Sequence, residues 1–172
     1  MFYNIIKNFF LKKNVTKMLT NQNSFGSNEK IVTVGVLVDE SYFSETNQLI
    51  ERIVSQGVEV ANITVLIYKD KIKNKEEINE PFLSLKNISI SGEFDKKDVN
   101  EFINKPFDLL INYYDINKSS LLLLSTKSKA KFKVGFDSVD KRVNHFIIKS
   151  LVENFNEFVL ELFKYLKILN KI

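Results

Sequence analysis

Apolar positions along the chain form short continuous runs that alternate with helically spaced stripes, the pattern of a sheet covered by helices. The first run, residues 31–38, is nearly all apolar and β-branched, which predicts a central parallel strand buried on both faces. Gly35 lies inside this run, and a glycine within a strand indicates that a neighbouring element approaches closely. A helical stripe follows and ends at Gly57, and residues 63–68 form the second strand. This order predicts a right-handed βαβ unit.

The same alternation continues to the end of the chain. Four more strands are predicted at residues 85–90, 107–114, 131–136 and 146–148, the last of them short and at an edge. Three more helices are predicted at residues 98–105, 119–128 and 155–169. The fold class is therefore α/β: a Rossmann-like three-layer sandwich with a mostly parallel five- or six-stranded sheet, ordered 3-2-1-4-5 with the sixth strand beyond.

The N-terminal segment differs from the rest of the chain in charge. Residues 1–28 hold four lysines and no acidic residue, whereas the remainder, with 21 basic and 21 acidic side chains, is neutral. Helical spacing over residues 2–19 and a polar, glycine-containing stretch after them predict a basic amphipathic helix and linker (residues 1–28). A single α/β domain (residues 29–172) follows. Within it, the charged segment 69–80 predicts a solvated loop or a frayed helix.

The N-terminal helix could bind any of three surfaces: anionic lipid, its own domain or a partner subunit. Basic helices with aromatic side chains on one face are typical of interfacial anchors on anionic lipid. The helix could equally dock on its own domain or on a partner subunit, since exposed aromatic side chains need cover. The predicted apolar stripe consists of Phe2, Ile5, Ile6, Phe9 and Phe10, resumed by Val15, Met18 and Leu19. The candidate interaction residues are Phe2, Ile6, Phe9, Phe10, Lys12 and Lys13.

Composition excludes several classes of chemistry. The chain has no cysteine and a single histidine, His145, which argues against thiolate or histidine metal sites and against a cysteine nucleophile or a conventional triad. Neither a dinucleotide fingerprint nor a phosphate-binding P-loop occurs among its five glycines. We therefore expect no cofactor and no metal. The neutral body argues against a nucleic-acid partner.

Localisation follows from the same features. No run of eighteen apolar residues occurs, and the N-terminus lacks the order of a signal peptide. We therefore expect a cytoplasmic protein with peripheral contact at the inner membrane surface as an option for the N-terminal helix.

Polar side chains gather at one expected edge of the sheet. In open α/β sheets, ligands bind outside the carboxyl ends of the strands where the strand order reverses, here between the first and fourth strands. Carboxylates and a lysine there could bind a small polar or anionic molecule. The same residue types are also the usual helix caps and turn formers, and that interpretation is favoured. The candidate ligand-binding residues are Asp39, Glu40, Ser41, Asn112, Tyr113, Asp115, Lys118 and Ser119.

Part of the chain resembles a known enzyme family. Phe-Asp-Leu-Leu-Ile-Asn-Tyr-Tyr-Asp-Ile-Asn-Lys-Ser-Ser-Leu-Leu-Leu-Leu (107–124), with Ala-Lys-Phe-Lys-Val-Gly-Phe-Asp (130–137), is similar to the N-terminal half of heptosyltransferase-like glycosyltransferases. In those enzymes the C-terminal half binds most of the sugar nucleotide, so the resemblance implies fold rather than activity. The whole chain more closely resembles short bacterial α/β proteins without an assigned activity, which end in a similar helix containing Glu161, Leu162, Tyr165 and Leu166.

These observations favour a non-catalytic accessory or interaction domain of unknown function. The alternative is an enzyme or binder of nucleotides or sugar phosphates, glycosyltransferase-like in ancestry, that uses the crevice at the strand ends. We expect no catalytic residue on the first interpretation.

Overall fold

The computed structural model describes residues 2–20, 29–71 and 81–172. The predicted linker at residues 21–28 and most of the predicted charged loop, residues 72–80, lie outside the described residues. Six strands occur in the described ranges: Val34–Asp39 (β1), Ile63–Tyr68 (β2), Phe82–Leu83 (β3), Leu109–Tyr113 (β4), Phe132–Phe136 (β5) and Phe146–Ile148 (β6). The α-helices are Phe2–Leu19 (α1), Thr46–Val54 (α2), Lys97–Asn104 (α3), Ser119–Lys127 (α4) and Phe155–Ile168 (α5).

All six strands are parallel and lie in the order β3-β2-β1-β4-β5-β6. This confirms the predicted fold class and strand order. Every residue of β1, β4 and β5 is buried, as expected of strands covered on both faces. Helix α5 packs beside α2, and α3 packs beside α4. The order reverses between β1 and β4, which places the expected crevice at their carboxyl ends.

Helix α1 forms an additional layer on the outer side of α4. The side chains of α1 that this packing buries are Lys7, Leu11, Val15 and Leu19, spaced four residues apart along one face. Covered in this way, α4 is buried at every position from Ser120 to Thr126. The N-terminal helix thus closes the apolar outer side of α4, and its opposite face points away from the body.

The predicted third strand is wrong in its position. Instead of residues 85–90, β3 consists only of Phe82 and Leu83, which pair with the end of β2. Both the Ser84 backbone N–H and its hydroxyl donate to the Asn87 side chain, at 3.2 and 2.9 Å, and this local capping coils Leu85–Asn87 into a 3-10 turn. The next residue, Ile88, then forms only an isolated antiparallel bridge to Phe94.

Asp108 joins the start of β4 to the segment before β1. Its Oδ2 accepts hydrogen bonds from the Val32 N–H (3.1 Å), the Thr33 N–H (2.8 Å) and the Thr33 hydroxyl (2.9 Å), and Lys131 lies 3.0 Å from its Oδ1. Partial burial acts to raise the pKa of Asp108, but these hydrogen bonds and Lys131 outweigh it and lower that pKa to about 2. The charged carboxylate therefore stabilises the pairing of β1 with β4.

We expect Asp108→Asn to lower the free energy of unfolding by about 1–2 kcal/mol at neutral pH. Because the pKa of Asp108 is lowered on folding, its contribution is complete above its unfolded pKa. The contribution is lost as the pH falls from about 4 towards 2. Urea unfolding at several pH values should therefore show that the difference in unfolding free energy between wild type and variant becomes smaller in acid. Asp137→Asn, at an exposed position, is the control. A difference that stays constant with pH would contradict this account.

Candidate functional site

The carboxyl ends of β1 and β2 and the residue before α4 meet at a cluster of charged side chains. The Lys118 ammonium lies 2.7 Å from Asp39 Oδ2 and 2.7 Å from Asp70 Oδ2, between the two carboxylates. Asp39 is the last residue of β1, and Asp70 comes two residues after β2. The side chains of Lys118 and Asp39 are only 14% and 6% exposed. Two of the predicted crevice residues, Asp39 and Lys118, are thus brought into direct contact.

Two tyrosine rings enclose the Lys118 ammonium, which lies 4.7 Å from the ring centre of Tyr42 and 4.9 Å from that of Tyr68. Such cation–π contacts strengthen when the cation is desolvated. The Tyr68 hydroxyl donates to Asp70 Oδ1 at 3.1 Å. Burial, reinforced by the nearby carboxylates, raises the pKa of Tyr68 far above its ordinary value. We call Asp39, Tyr42, Tyr68, Asp70 and Lys118 the strand-end cluster.

Ser41 and Glu40 fix the turn that leaves β1. The Ser41 N–H donates to Asp39 Oδ1 at 3.0 Å, and the Ser41 hydroxyl accepts from the Asp70 N–H at 2.9 Å. Glu40 turns aside: its carboxylate accepts from the Thr46 hydroxyl at the start of α2 and lies 3.3 Å from the Lys69 ammonium. Asp39 at the end of β1 and the two residues after it, Glu40 and Ser41, therefore all have partners within the protein.

Asn112 and Tyr113 do not reach the crevice. As neighbours on β4 they point to opposite faces of the sheet, and each side chain is buried beneath helices. The Asn112 amide donates to Asn144 Oδ1 at 2.7 Å and accepts from the Ser125 hydroxyl at 2.8 Å. The Tyr113 hydroxyl donates to the Val152 carbonyl at 2.6 Å. Burial raises the pKa of Tyr113 far above its ordinary value, so its phenol stays protonated inside the core.

The last two nominated residues are not members of the strand-end cluster. Asp115 is half-buried after β4, and its backbone carbonyl accepts from the Ser138 hydroxyl at 2.8 Å. Ser119 begins α4, and its hydroxyl donates weakly, at 3.4 Å, to the Asn8 carbonyl of α1. Ser119 thus contacts the N-terminal helix.

Sequence reasoning missed three members of the strand-end cluster: Tyr42, Tyr68 and Asp70. A usable signal was present for Asp70, because it follows β2 as Asp39 terminates β1, and adjacent parallel strands end at the same edge. The run of charged residues around Asp70 obscured this signal. Tyr68 and Tyr42 carry no sequence signal that separates them from core or surface tyrosines.

The charged groups of the cluster are paired with one another. Asp39 and Asp70 share the Lys118 ammonium, and the Tyr68 hydroxyl donates to Asp70, whose side chain is 42% exposed. Among the described residues, no group of three or more histidine, cysteine, aspartate or glutamate side chains could hold a metal ion. His145 is also engaged: its Nδ1 accepts from the Lys133 N–H at 2.8 Å, and burial lowers the pKa of His145.

The second candidate region is the outer face of α1, which we define as the side turned away from α4. Phe2, Phe9 and Phe10 are 76%, 66% and 42% exposed, while Ile6 is half-buried. Lys12 and Lys13 are exposed in the following turns. The candidate interaction residues other than Ile6 therefore lie uncovered on the surface. The apolar and basic residues of the outer face are Phe2, Ile5, Phe9, Phe10, Lys12, Lys13 and Lys17, and exposed Tyr3, Thr16 and Thr20 lie among them.

The opposite side of α1 explains why this face is free. Leu11, Val15 and Leu19 are fully or almost fully buried against the body, so the helix needs no other contact to stay in place. Lys7 is also buried on that side; burial lowers its pKa, and its ammonium lies 5.7 Å from the Tyr3 ring centre. Among the described residues, no helix has both the length and the apolar character needed to cross a bilayer.

Comparison with known proteins identifies a family without assigning an activity. The model of DUF6913, described as a family of unknown function, matches residues 7–169, from the first turns of α1 to the end of α5. No curated protein and no solved structure matches the chain.

Proposed function

The chain belongs to the DUF6913 family of unknown function, and we propose that it is a non-catalytic accessory domain that binds another macromolecular surface through the outer face of α1. The observation that carries this proposal is the exposure of Phe2, Phe9 and Phe10 on a helix whose other face is already packed. Aromatic side chains grouped on one surface of a folded protein mark interaction sites.

The strand-end cluster supports the same proposal by its chemistry. In a ligand-binding crevice, charged groups at the switch point would need to face solvent or ligand. Here Lys118 is held between Asp39 and Asp70, and the side chains of Asn112 and Tyr113 form hydrogen bonds in the interior. These contacts are better explained as ion pairs that join the strand ends to the start of α4 than as a reaction centre.

Location is part of the proposal. An accessory domain of this kind would work in the cytoplasm, and peripheral contact with the inner membrane surface is one form that binding through the outer face of α1 could take. The described helices give no means of spanning a membrane, so any such contact would be made at its surface.

The test compares wild type with a Phe9→Ser/Phe10→Ser variant in native extracts of the cells that produce the protein. We expect wild type to migrate with larger particles in sedimentation or size-exclusion chromatography, and the variant to migrate mostly as free protein. Point substitutions are preferable to removal of α1, because its removal would uncover the apolar side of α4.

The control for this test is Leu160→Ser/Ile168→Ser, which removes two exposed apolar side chains from α5. It should behave as wild type does. Identical migration of wild type and the Phe9→Ser/Phe10→Ser variant would overturn the proposed function.

A second candidate function is binding of a nucleotide or sugar phosphate at the strand-end cluster. The position of Asp39 and Lys118 at the switch point favours it, and the likeness to heptosyltransferase-like glycosyltransferases suggests the ligand class. A ligand at 100 times its Kd would add about 2.7 kcal/mol of stability, several degrees in Tm. We expect no such shift across a panel of nucleotides and sugar phosphates. A shift that Asp39→Asn abolishes would favour this second function instead.

A further inference from the structure

We propose that the surface bound by the outer face of α1 is an anionic lipid bilayer, to which the domain attaches peripherally. This inference rests on the proposed function and names its partner. It is argued from the charge, the placement of the aromatic side chains and the rigidity of the helix.

Charge is the first argument. The exposed lysines of α1, Lys12, Lys13 and Lys17, are accompanied by no acidic residue anywhere in residues 1–28, while the rest of the chain is neutral. The whole net charge of +4 therefore resides in this segment. Each lysine near the surface of an anionic bilayer raises the partition coefficient of a protein about five-fold, which corresponds to roughly 1 kcal/mol. Three exposed lysines would together raise the partition coefficient by up to about 100-fold.

The placement of aromatic side chains is the second argument. Phe2 and Phe9 share the outer face with Ile5, which is 61% exposed, and with Phe10, whose ring meets that of Phe9 edge to face at 5.8 Å between centroids. The apolar residues occupy the first turns of α1 and the lysines the later turns. Phenylalanine side chains on an interfacial helix insert at the boundary between headgroups and acyl chains, and lysine stems bury their methylenes while keeping the ammonium in water.

A protein partner would have to reproduce both properties on one surface. It would need an apolar depression for the phenylalanines and, one to two turns away, uncompensated acidic groups for three lysines. An anionic bilayer offers both everywhere and at any orientation around its normal. The excess of one charge sign beside an apolar face is the composition of helices that lie in the membrane interface.

The rigidity of α1 is the third argument. Interfacial segments that are unfolded in solution lose conformational entropy when they bind as helices. Here Leu11 and Val15 hold α1 on α4 before any lipid is met, so the outer face is already formed. Binding then requires little ordering, which favours attachment through a helix of only 18 residues.

A recess borders the outer face of α1. The cavity, of about 370 Å³, lies between α1, the start of α4 and the turn at Lys141–Val143. Lys12, Ser119, Asp140 and Arg142 line it, and the Arg142 guanidinium forms a bidentate pair with the Asp140 carboxylate. Lys12 also belongs to the outer face, so one lysine would serve both regions. Because Asp140 neutralises Arg142, the uncompensated charge of the recess is that of Lys12, which the outer face already includes.

The experiment measures co-sedimentation of the purified full chain with vesicles of phosphatidylcholine alone or with about one third phosphatidylglycerol. We expect binding to the anionic vesicles to exceed binding to the neutral ones by at least ten-fold and to weaken in high salt. Phe9→Ser/Phe10→Ser and Lys12→Gln/Lys13→Gln/Lys17→Gln should each reduce it about ten-fold or more. The charge-matched control, Lys97→Gln/Lys129→Gln/Lys149→Gln, removes three exposed lysines of the body and should bind as wild type does.

The outcomes separate this inference from the proposed function. Absent binding, or equal binding to neutral and anionic vesicles, would overturn the lipid inference. If the Phe9→Ser/Phe10→Ser variant still loses its association in cell extracts, the proposed function stands and the partner is a protein. If vesicle binding is strong but unaffected by either α1 variant, both the inference and the role of the outer face are wrong.

Discussion

A Lys118→Met variant should be less stable than wild type by about 3–5 kcal/mol, because it leaves the buried carboxylate of Asp39 and the neighbouring carboxylate of Asp70 without their shared cation. Asp39 would remain at the carboxyl end of the central strand with a side chain only 6% exposed. One hydrogen bond, from the Ser41 N–H, would be its remaining partner among those described above. Methionine matches the length of the lysine stem, so the loss would come from the charge rather than from a cavity.

Two further variants make this prediction specific. Lys97→Met removes one half of an exposed i,i+4 pair with Glu101, in which the two side chains are 92% and 66% exposed, and should cost no more than about 0.5 kcal/mol. Asp39→Asn/Lys118→Met removes the buried pair of charges, leaves only the more exposed Asp70 carboxylate and keeps an acceptor for the Ser41 N–H, so it should recover much of the loss. The measurement is urea unfolding at neutral pH. If Lys118→Met lowers the free energy of unfolding no more than Lys97→Met does, the strand-end cluster does not stabilise the fold.

The order of the sheet could be predicted because its central strands carry a strong signal. The runs that become β1, β2 and β4 are continuous and apolar, and the strand–helix–strand connection from β1 to β2 predicts a right-handed βαβ unit. The third strand could not be placed because Leu85 and Ile88 carry as strong an apolar signal as Phe82 and Leu83. The side chains of Ser84 and Asn87 decide the outcome through a local hydrogen bond that periodicity does not reveal.

The strand-end crevice was predictable in location but only partly in membership. Strand order alone brings Asp39 and Lys118 to one edge, and they do form an ion pair. Whether Asn112 or Tyr113 faces that edge depends on side-chain direction within β4 and on the partners available inside, Ser125 and the Val152 carbonyl. Those partners come from elements far away in the sequence, so no local pattern identifies them.

For the N-terminal helix, the sequence could identify apolar positions but not choose the buried face. Its predicted stripe combined Phe2 and Phe9 with Val15 and Leu19, which the structure places on opposite sides of α1. The choice is made by α4, whose outer side accepts the narrow row of Leu11, Val15 and Leu19. A helix with two apolar faces therefore needs the tertiary structure to show which one remains available for binding.

Gly35→Ala should destabilise the protein by about 1–3 kcal/mol, the cost of forcing an extra methyl group into a packed core. A Cβ at this position would lie 2.8 Å from Phe107 Cδ2 and 2.9 Å from its Cε2, which confirms the close approach predicted from the glycine. Phe107 is fully buried and its ring packs on Phe102 at 5.0 Å between centroids, so it cannot move aside. Phe107→Leu should therefore absorb the methyl group: in that background, Gly35→Ala should cost at least about 1 kcal/mol less, as measured by a double-mutant cycle of unfolding free energies. An equal cost in both backgrounds would mean that the strain arises in the backbone of β1 rather than at the Phe107 ring.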